Sequence, residues 1–328
     1  MTSDDPRSPK IVLGVDGSGH ADAALEWAVA EATRTGRPLD IVFALPMPLV
    51  VMSEGPSRPS ATQELIAHGE QVLGAAADRV RGLAPGTRVE VFLAMDDPVP
   101  ALLERAGNED LLVVGSRGLG ALRAAVMGST AIRLAARAHC PVAVVPESPE
   151  RTDHTGGVDG VSRPDRAGRV GRIVVGVDGS EASLPALRFA LGRAHEDGSA
   201  VTVVHSWEVS TPFAPEALAA SGWVPPDELL EQRSGELVAA LFEEVGDAAE
   251  GVDVSVVRSR QAAERALLAE AEKADLVVVG SRGRGGLRGL FLGSVSQAVL
   301  HGAAIPVVVI PHRAEDHPET LPWSGGSD

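Results

Sequence analysis

Lysine is almost missing from this 328-residue chain: Lys10 and Lys273 are the only two among 29 basic residues. A Walker-type phosphate loop closes on Gly-Lys-Ser/Thr, and neither lysine follows a glycine, so the P-loop NTPases are excluded. Tyrosine is absent and only six Phe and four Trp occur, too few for the stacking platforms that hold single-stranded nucleic acid. The net charge of −16 leaves no dense basic face for a phosphate backbone, so no nucleic-acid partner is expected. One cysteine, Cys140, cannot form an internal disulfide, which fits a reducing compartment. The longest apolar stretch, residues 41–52, contains Pro46 and Pro48 and falls far short of the roughly 20 residues that span a bilayer. The polar residues 1–9 lack the apolar core of a signal peptide. A cytoplasmic protein with no membrane partner is expected.

What is present is a duplication. Gly115-Ser116-Arg117-Gly118, followed by Gly128-Ser129, returns as Gly280-Ser281-Arg282-Gly283 with Gly293-Ser294, an offset of 165 (280 − 115). Ile11-Val12-Leu13-Gly14-Val15-Asp16-Gly17-Ser18 returns as Ile173-Val174-Val175-Gly176-Val177-Asp178-Gly179-Ser180, an offset of 162 (178 − 16). Two motifs kept in the same order and spacing are the signature of an internal repeat, and 44% hydrophobic residues suffice for two cores.

Within each half, continuous Val/Ile-rich runs alternate with longer Ala/Leu-rich segments, the pattern of parallel strands covered by helices on both faces. Strands are expected at 10–16, 39–45, 88–93, 110–115 and 141–145, then at 172–178, 200–206, 252–257, 275–280 and 305–310. Ser18 and Ser180 are placed to cap the first helix of each half. Trp27 and Phe189, equivalent at the 162 offset, read as helix-to-sheet packing, and His205 as a packed polar residue of the second strand. Domains are expected over 9–147 and 171–312, with a polar linker at 148–170 and a polar tail at 313–328.

In such a sheet, ligands bind beyond the carboxyl ends of the strands where strand order reverses, between strands one and four. Asp16 and Asp178 close the first strand of each half; Gly115 and Gly280 close the fourth. An acidic side chain therefore faces a glycine-rich loop twice. Gly115, Gly118 and Gly128 let backbone N–H groups turn inward to form an anion site. The helix that begins near Ser129 or Ser294 adds free N–H groups and the positive end of its dipole, with the hydroxyl as both cap and phosphate contact. A carboxylate opposite the loop suits ribose hydroxyls or a base amine, so a nucleotide fits better than a bare anion.

With Gly-x2-Gly-x9-Gly-Ser after the fourth strand and an Asp closing the first, both halves resemble the nucleotide-binding universal stress proteins over nearly all of 9–147 and 171–312. The resemblance implies an α/β fold of two tandem flavodoxin-like domains, each a five-stranded parallel sheet ordered 3-2-1-4-5, with ATP, with or without Mg, at each crevice. It implies that Gly115, Gly118, Gly128, Ser129 and neighbouring Thr130 hold phosphates and ribose in the first half, and Gly280, Gly283, Gly293, Ser294 and Val295 in the second. Ala44 and Ser206 fall where the family lines its adenine pocket. Arg117 and Arg282 are candidates for phosphate oxygens.

The expected function is an ATP-binding stress-response sensor or regulator acting through an unidentified protein partner. A slow ATPase, a related adenine-nucleotide or flavin enzyme, and a nucleotide-free scaffold are the alternatives. No catalytic or metal constellation stands out. The short apolar strands Val142–Val145 and Val307–Ile310 need cover, so the halves are expected to pair as an intramolecular pseudo-dimer, with further homodimer formation left open. Segments 46–59 and 207–225, rich in Pro and small residues, are expected to form lids beside the nucleotide.

Overall fold

The computed structural model describes residues 8–19, 21–46, 59–118, 127–147, 171–180, 182–207, 227–283 and 292–312. The first half runs β1 (Ile11–Val15), α1 (Ala21–Thr35), β2 (Leu39–Ala44), α2 (Pro59–Leu83), β3 (Val89–Ala94), α3 (Pro98–Arg105), β4 (Leu111–Gly115), α4 (Ser129–Arg137) and β5 (Val142–Val145). The second repeats it: β6 (Arg172–Val177), α5 (Ser183–Asp197), β7 (Ala200–Ser206), α6 (Asp227–Val245), β8 (Val254–Ser259), α7 (Ala263–Ala271), β9 (Leu276–Gly280), α8 (Ser294–Gly302) and β10 (Val307–Ile310). All ten strands fall where the sequence places them, within two residues at each end. The third and fifth strands of the second half begin two residues late, β8 after the turn at Gly251 and β10 only after Pro306, which has no N–H to offer a ladder.

The strands form one sheet in the order β3-β2-β1-β4-β5-β10-β9-β6-β7-β8. Each half is parallel in the order 3-2-1-4-5, and the central junction is antiparallel, with β5 on β10. The two strands that needed cover thus cover each other. Val144 faces Val307, Ala143 faces Val308 and Val142 faces Val309.

Because the inner strands are buried on both faces, their alternate residues feed two separate cores. One face sends Ile11, Leu13, Val175 and Val308 toward α1, α2, α5 and α6; the other sends Val12, Leu112, Val174 and Val309 toward α3, α4, α7 and α8. Each core runs through both halves. Trp27 and Phe189 pack against the first core, as their helical spacing suggested. No described helix is long and apolar enough to cross a membrane. Most of the two expected lid segments, along with the linker and the tail, lies outside the described residues.

Candidate functional site

The parallel order puts the carboxyl ends of β1 and β4 side by side, and Asp16 follows one while Gly115 ends the other. Gly17 turns the chain after Asp16 with φ 79°, and Gly179 does so after Asp178 with φ 73°, a conformation that favours glycine. In that turn Asp16 Oδ1 accepts hydrogen bonds from Ser18 N at 3.0 Å and Ser18 Oγ at 2.6 Å. Asp178 Oδ1 accepts from Ser180 N at 3.0 Å and from Ser183 Oγ at 2.7 Å, while Asp178 N donates to the same Ser183 hydroxyl at 2.9 Å. Both carboxylates are therefore fixed through Oδ1.

These bonds correct two expectations. Ser18 and Ser180 do not cap the following helices, which begin at Ala21 and Ser183; Ser18 spends its hydroxyl, and Ser180 its backbone N–H, on the aspartate. The second half delegates the hydroxyl contact to Ser183, whose counterpart in the first half is Ala21 (183 − 162). The sequence offered Ser183 as a signal only through that difference between repeats.

Across the crevice, the described ends of the segments after β4 and β9 are joined by the same hydrogen bond. Gly128 N donates to Ser116 O at 2.8 Å and Gly293 N to Ser281 O at 2.8 Å. Gly128 (φ −64°) and Gly293 (φ −62°) are the N-cap residues of α4 and α8, with no side-chain cap bond. Ser129 and Ser294 are consequently the first helical residues instead of caps, and both are exposed. With no side chain spent on capping, the first-turn N–H groups remain donors for another acceptor. Gly118, Gly128, Gly283 and Gly293 all lie outside the positive-φ region. At two of the four, glycine is favoured by space: a Cβ on Gly118 would overlap Asp16 Oδ2, and one on Gly283 would overlap Asp178 Oδ2, whereas one on Gly128 or Gly293 would meet its nearest neighbour at 3.4 Å, an ordinary contact.

In the second half all eight candidates, Asp178, Ser206, Gly280, Arg282, Gly283, Gly293, Ser294 and Val295, line a single cleft of about 1350 Å³. Its walls also carry His205, Ser234 and Trp207. His205 is a packed polar residue, its Nδ1 2.7 Å from Ser234 Oγ. Their counterparts in the first half are Phe43 and Gly69 (205 − 162, 234 − 165), where a Cβ on the glycine would lie 3.1 Å from the Phe43 ring. A bulky ring over glycine has been exchanged for an imidazole over a hydroxyl. The Ser206 hydroxyl is engaged with the Gln261 carbonyl.

In the first half, Asp16 and Gly118 meet as their equivalents do. Thr130 follows Ser129 in the first turn of α4, and Ala44 ends β2 opposite Ala94. Arg117 Nη1 lies 3.7 Å from Glu147 Oε2, so a carboxylate already accompanies it. A separate hollow of about 300 Å³ opens beneath Gly17 and Ser18, between α1 and α2. Among the described residues no group of three or more His, Cys, Asp or Glu side chains is arranged to hold a metal ion.

The universal stress protein family model matches twice, over residues 8–146 and 169–311. A universal stress protein of Mycobacterium tuberculosis is 33% identical over 91% of this chain and 96% of its own length; one of Mycolicibacterium smegmatis is 32% identical over 92% and 97%. Among solved structures, a universal stress protein from Archaeoglobus fulgidus superimposes with a TM-score of 0.62 at 21% identity, covering 92% of this chain and 96% of that one. A second, from Pseudomonas aeruginosa, gives 0.56 at 18% identity over 93% and 94%. Matched along both of its halves, the chain belongs to the universal stress protein family.

Proposed function

We propose that each half binds one adenine nucleotide, ATP in the working state, and that the chain acts as a nucleotide-dependent sensor or regulator in a stress response. The observation that carries this reading is the repeated pairing of a fixed carboxylate with a glycine loop and an uncapped helix start. The two sides of the crevice have opposite preferences. The loop amides and the positive end of the helix dipole attract phosphate. The aspartate repels phosphate but accepts hydrogen bonds from ribose hydroxyls or a base amine. A ligand with an anionic end and a hydroxyl-bearing end satisfies both, and a nucleotide is such a ligand.

In the second half, Gly283, Gly293, Ser294 and Arg282 would face the phosphates and Asp178 the sugar, with Ser206 and Val295 beside the base and ribose. In the first, Gly115, Gly118, Gly128, Ser129 and Thr130 would take the phosphates and ribose, Asp16 the sugar, and Ala44 the base. Mg would accompany the phosphates as counter-ion; the described side chains offer it no cluster of their own.

The test is mass spectrometry of small molecules released on denaturing freshly purified protein, followed by calorimetric titration with ATP, AMP and GTP. The expected outcome is co-purified adenine nucleotide and a stoichiometry of two. Absence of any nucleotide together with no heat on titration would reject the assignment.

A further inference from the structure

Helices α1 and α5 are the same segment of the repeat, each 15 residues long and 162 apart, and they meet across the β5–β10 seam. Two ion pairs join them. Arg193 Nη1 donates to Glu31 Oε2 at 2.6 Å, and Arg34 Nη1 donates to Glu196 Oε2. In both pairs the partners are one another's counterparts in the repeat, for 193 − 31 and 196 − 34 both equal 162. Arg34 Nη2 also binds Glu31 Oε1 at 2.6 Å, which links the two pairs into one network, and the Arg193 guanidinium lies 5.8 Å from the Trp27 ring centroid.

A residue that meets its own counterpart marks a two-fold axis. Ala143 opposite Val308, 165 apart, marks the same axis in the sheet. Across a true axis of this kind, two N-terminal halves would set Glu31 against Glu31 and Arg34 against Arg34. Two C-terminal halves would set Arg193 against Arg193 and Glu196 against Glu196. The Glu31 side chain is 6% exposed and that of Arg193 15%, so solvent would screen repulsion between two copies of either poorly; the outer pair is more open, with Glu196 56% exposed.

Among the described residues, the strands of the seam do not discriminate in this way. Val142-Ala143-Val144-Val145 and Val307-Val308-Val309-Ile310 present almost the same backbone ladder and the same apolar surface, whichever halves meet. Among the described contacts that cross the seam, the charges that change sign between the repeats are those of Glu31 and Arg34 on α1 against Arg193 and Glu196 on α5.

We infer that the Glu31–Arg193 and Arg34–Glu196 pairs are a pairing key: the N-terminal half accepts the C-terminal half at this seam and rejects a second copy of itself. The same two positions of the repeat carry acid then base on α1 and base then acid on α5, so the two faces complement each other and the ten-stranded sheet closes between unlike halves. Repulsion between like halves supplies the specificity, as in other interfaces that discriminate by unfavourable wrong pairs.

The full-length chain provides the test. Arg193→Glu with Glu196→Arg makes both halves carry the same charges; adding Glu31→Arg and Arg34→Glu restores complementarity with every sign exchanged. The two-residue variant should unfold at lower urea concentration than the native chain, and the fourfold exchange should recover most of the loss. Ala143→Cys then reports pairing directly, because the introduced thiol faces Val308 in the native seam but faces the same introduced thiol of another chain when two N-terminal halves meet. Refolded together under oxidising conditions, chains bearing Ala143→Cys should stay uncrosslinked on native charges. They should give several-fold more disulfide-linked dimer when Glu31, Arg34, Arg193 and Glu196 are all replaced by Gln. Cys140, 0% exposed, serves as the control in chains lacking the new thiol. A fourfold variant no more stable than the two-residue one, or equal crosslinking with and without the four charges, would overturn the key. Neither readout depends on nucleotide.

Discussion

Gly118 and Asp16 stand so close across the first crevice that a methyl on the glycine would overlap Asp16 Oδ2 and lie 3.4 Å from its Cγ; Gly283 and Asp178 repeat the relationship, also with 3.4 Å to Cγ. The loop glycine is thus shaped by the aspartate as much as by any ligand. Gly118→Ala forces either the carboxylate or the loop to move, and overpacking of this kind costs about 1–3 kcal/mol. Nucleotide binding at the first site should be lost, with the titrated stoichiometry falling from two to one, and Gly283→Ala should do the same at the second. Adding Asp16→Ala to Gly118→Ala removes the overlap but also the two hydrogen bonds from Ser18, so the double variant should be destabilised by less than the sum of the two single changes, while binding stays lost. Urea denaturation and calorimetry on the single and double variants check this. If the two effects simply add, the clash is with something other than Asp16.

The helix junction makes folding stability depend on pH in acid. Burial disfavours the charged form of Glu31, yet hydrogen bonds and attraction from Arg34 and Arg193 outweigh it and hold the carboxyl below its ordinary 4.5. A carboxyl whose pKa is depressed on folding stabilises the folded state above its unfolded value and ceases to do so as pH falls through the folded one. The contribution of Glu31 is therefore whole at neutral pH and drains away below about pH 4.5. Glu31→Gln should unfold more easily than the native chain at pH 7, and the gap between them should narrow as pH drops below that value. A gap that stays constant down to pH 3 would show that the carboxylate is not the source.

The strands and their order were legible because parallel strands buried on both faces leave continuous runs such as Leu111-Leu112-Val113-Val114, which few other arrangements produce. The paired motifs located the crevice because the same glycines recur at the same spacing beyond the fourth strand of each half, where Gly118 and Gly283 leave room for Asp16 and Asp178. Hydrogen-bond detail was less legible. Whether Ser18 caps a helix or binds Asp16 depends on where the chain turns, and the left-handed φ at Gly17 delays the helix start to Ala21. The charge exchange between Glu31 and Arg193 was invisible for a different reason. Each residue by itself is an ordinary helix-surface charge, and only the antiparallel seam brings the two together.

Cys140 should behave as a reporter of unfolding. Burial pushes its thiol up to about 12, and the nearby Asp110 carboxylate adds to the shift. The thiolate is the reactive form, so the native protein should resist thiol reagents at pH 8 and react once in full when unfolded. Rapid stoichiometric labelling of the native chain would contradict the burial of this strand end.

At the opposite ends of the strands from the crevice, the first half carries a charge cluster around Asp40. The Asp40 side chain, 5% exposed, accepts from Lys10 Nζ at 2.6 Å and from Arg105 Nε at 2.7 Å. The Arg105 guanidinium also lies 3.4 Å from the Phe92 ring centroid. In the second half Thr202 takes the place of Asp40 (202 − 162), with its hydroxyl 3.1 Å from Ser255 Oγ, and Arg172 that of Lys10 (172 − 162), so the repeat does without the carboxylate there. In the first half the lysine is packed against it: its side chain is 14% exposed, and removing one partner of a largely buried ion pair costs about 3–5 kcal/mol. Asp40→Ala should destabilise by roughly 3 kcal/mol, toward the lower end because Arg105 and the lysine retain some access to water. Lys10→Met added to Asp40→Ala removes the stranded cation and should recover a substantial part of that loss, as expected when both members of a buried pair are replaced together. Nucleotide stoichiometry should be unchanged in either variant, because Asp40 lies near the start of β2 and the crevice opens beyond its end. A double variant no more stable than Asp40→Ala would mean that the ammonium is not stranded by loss of the carboxylate, because methionine keeps the apolar stem and removes only the charge, and the account of the cluster as a charge pair would fail.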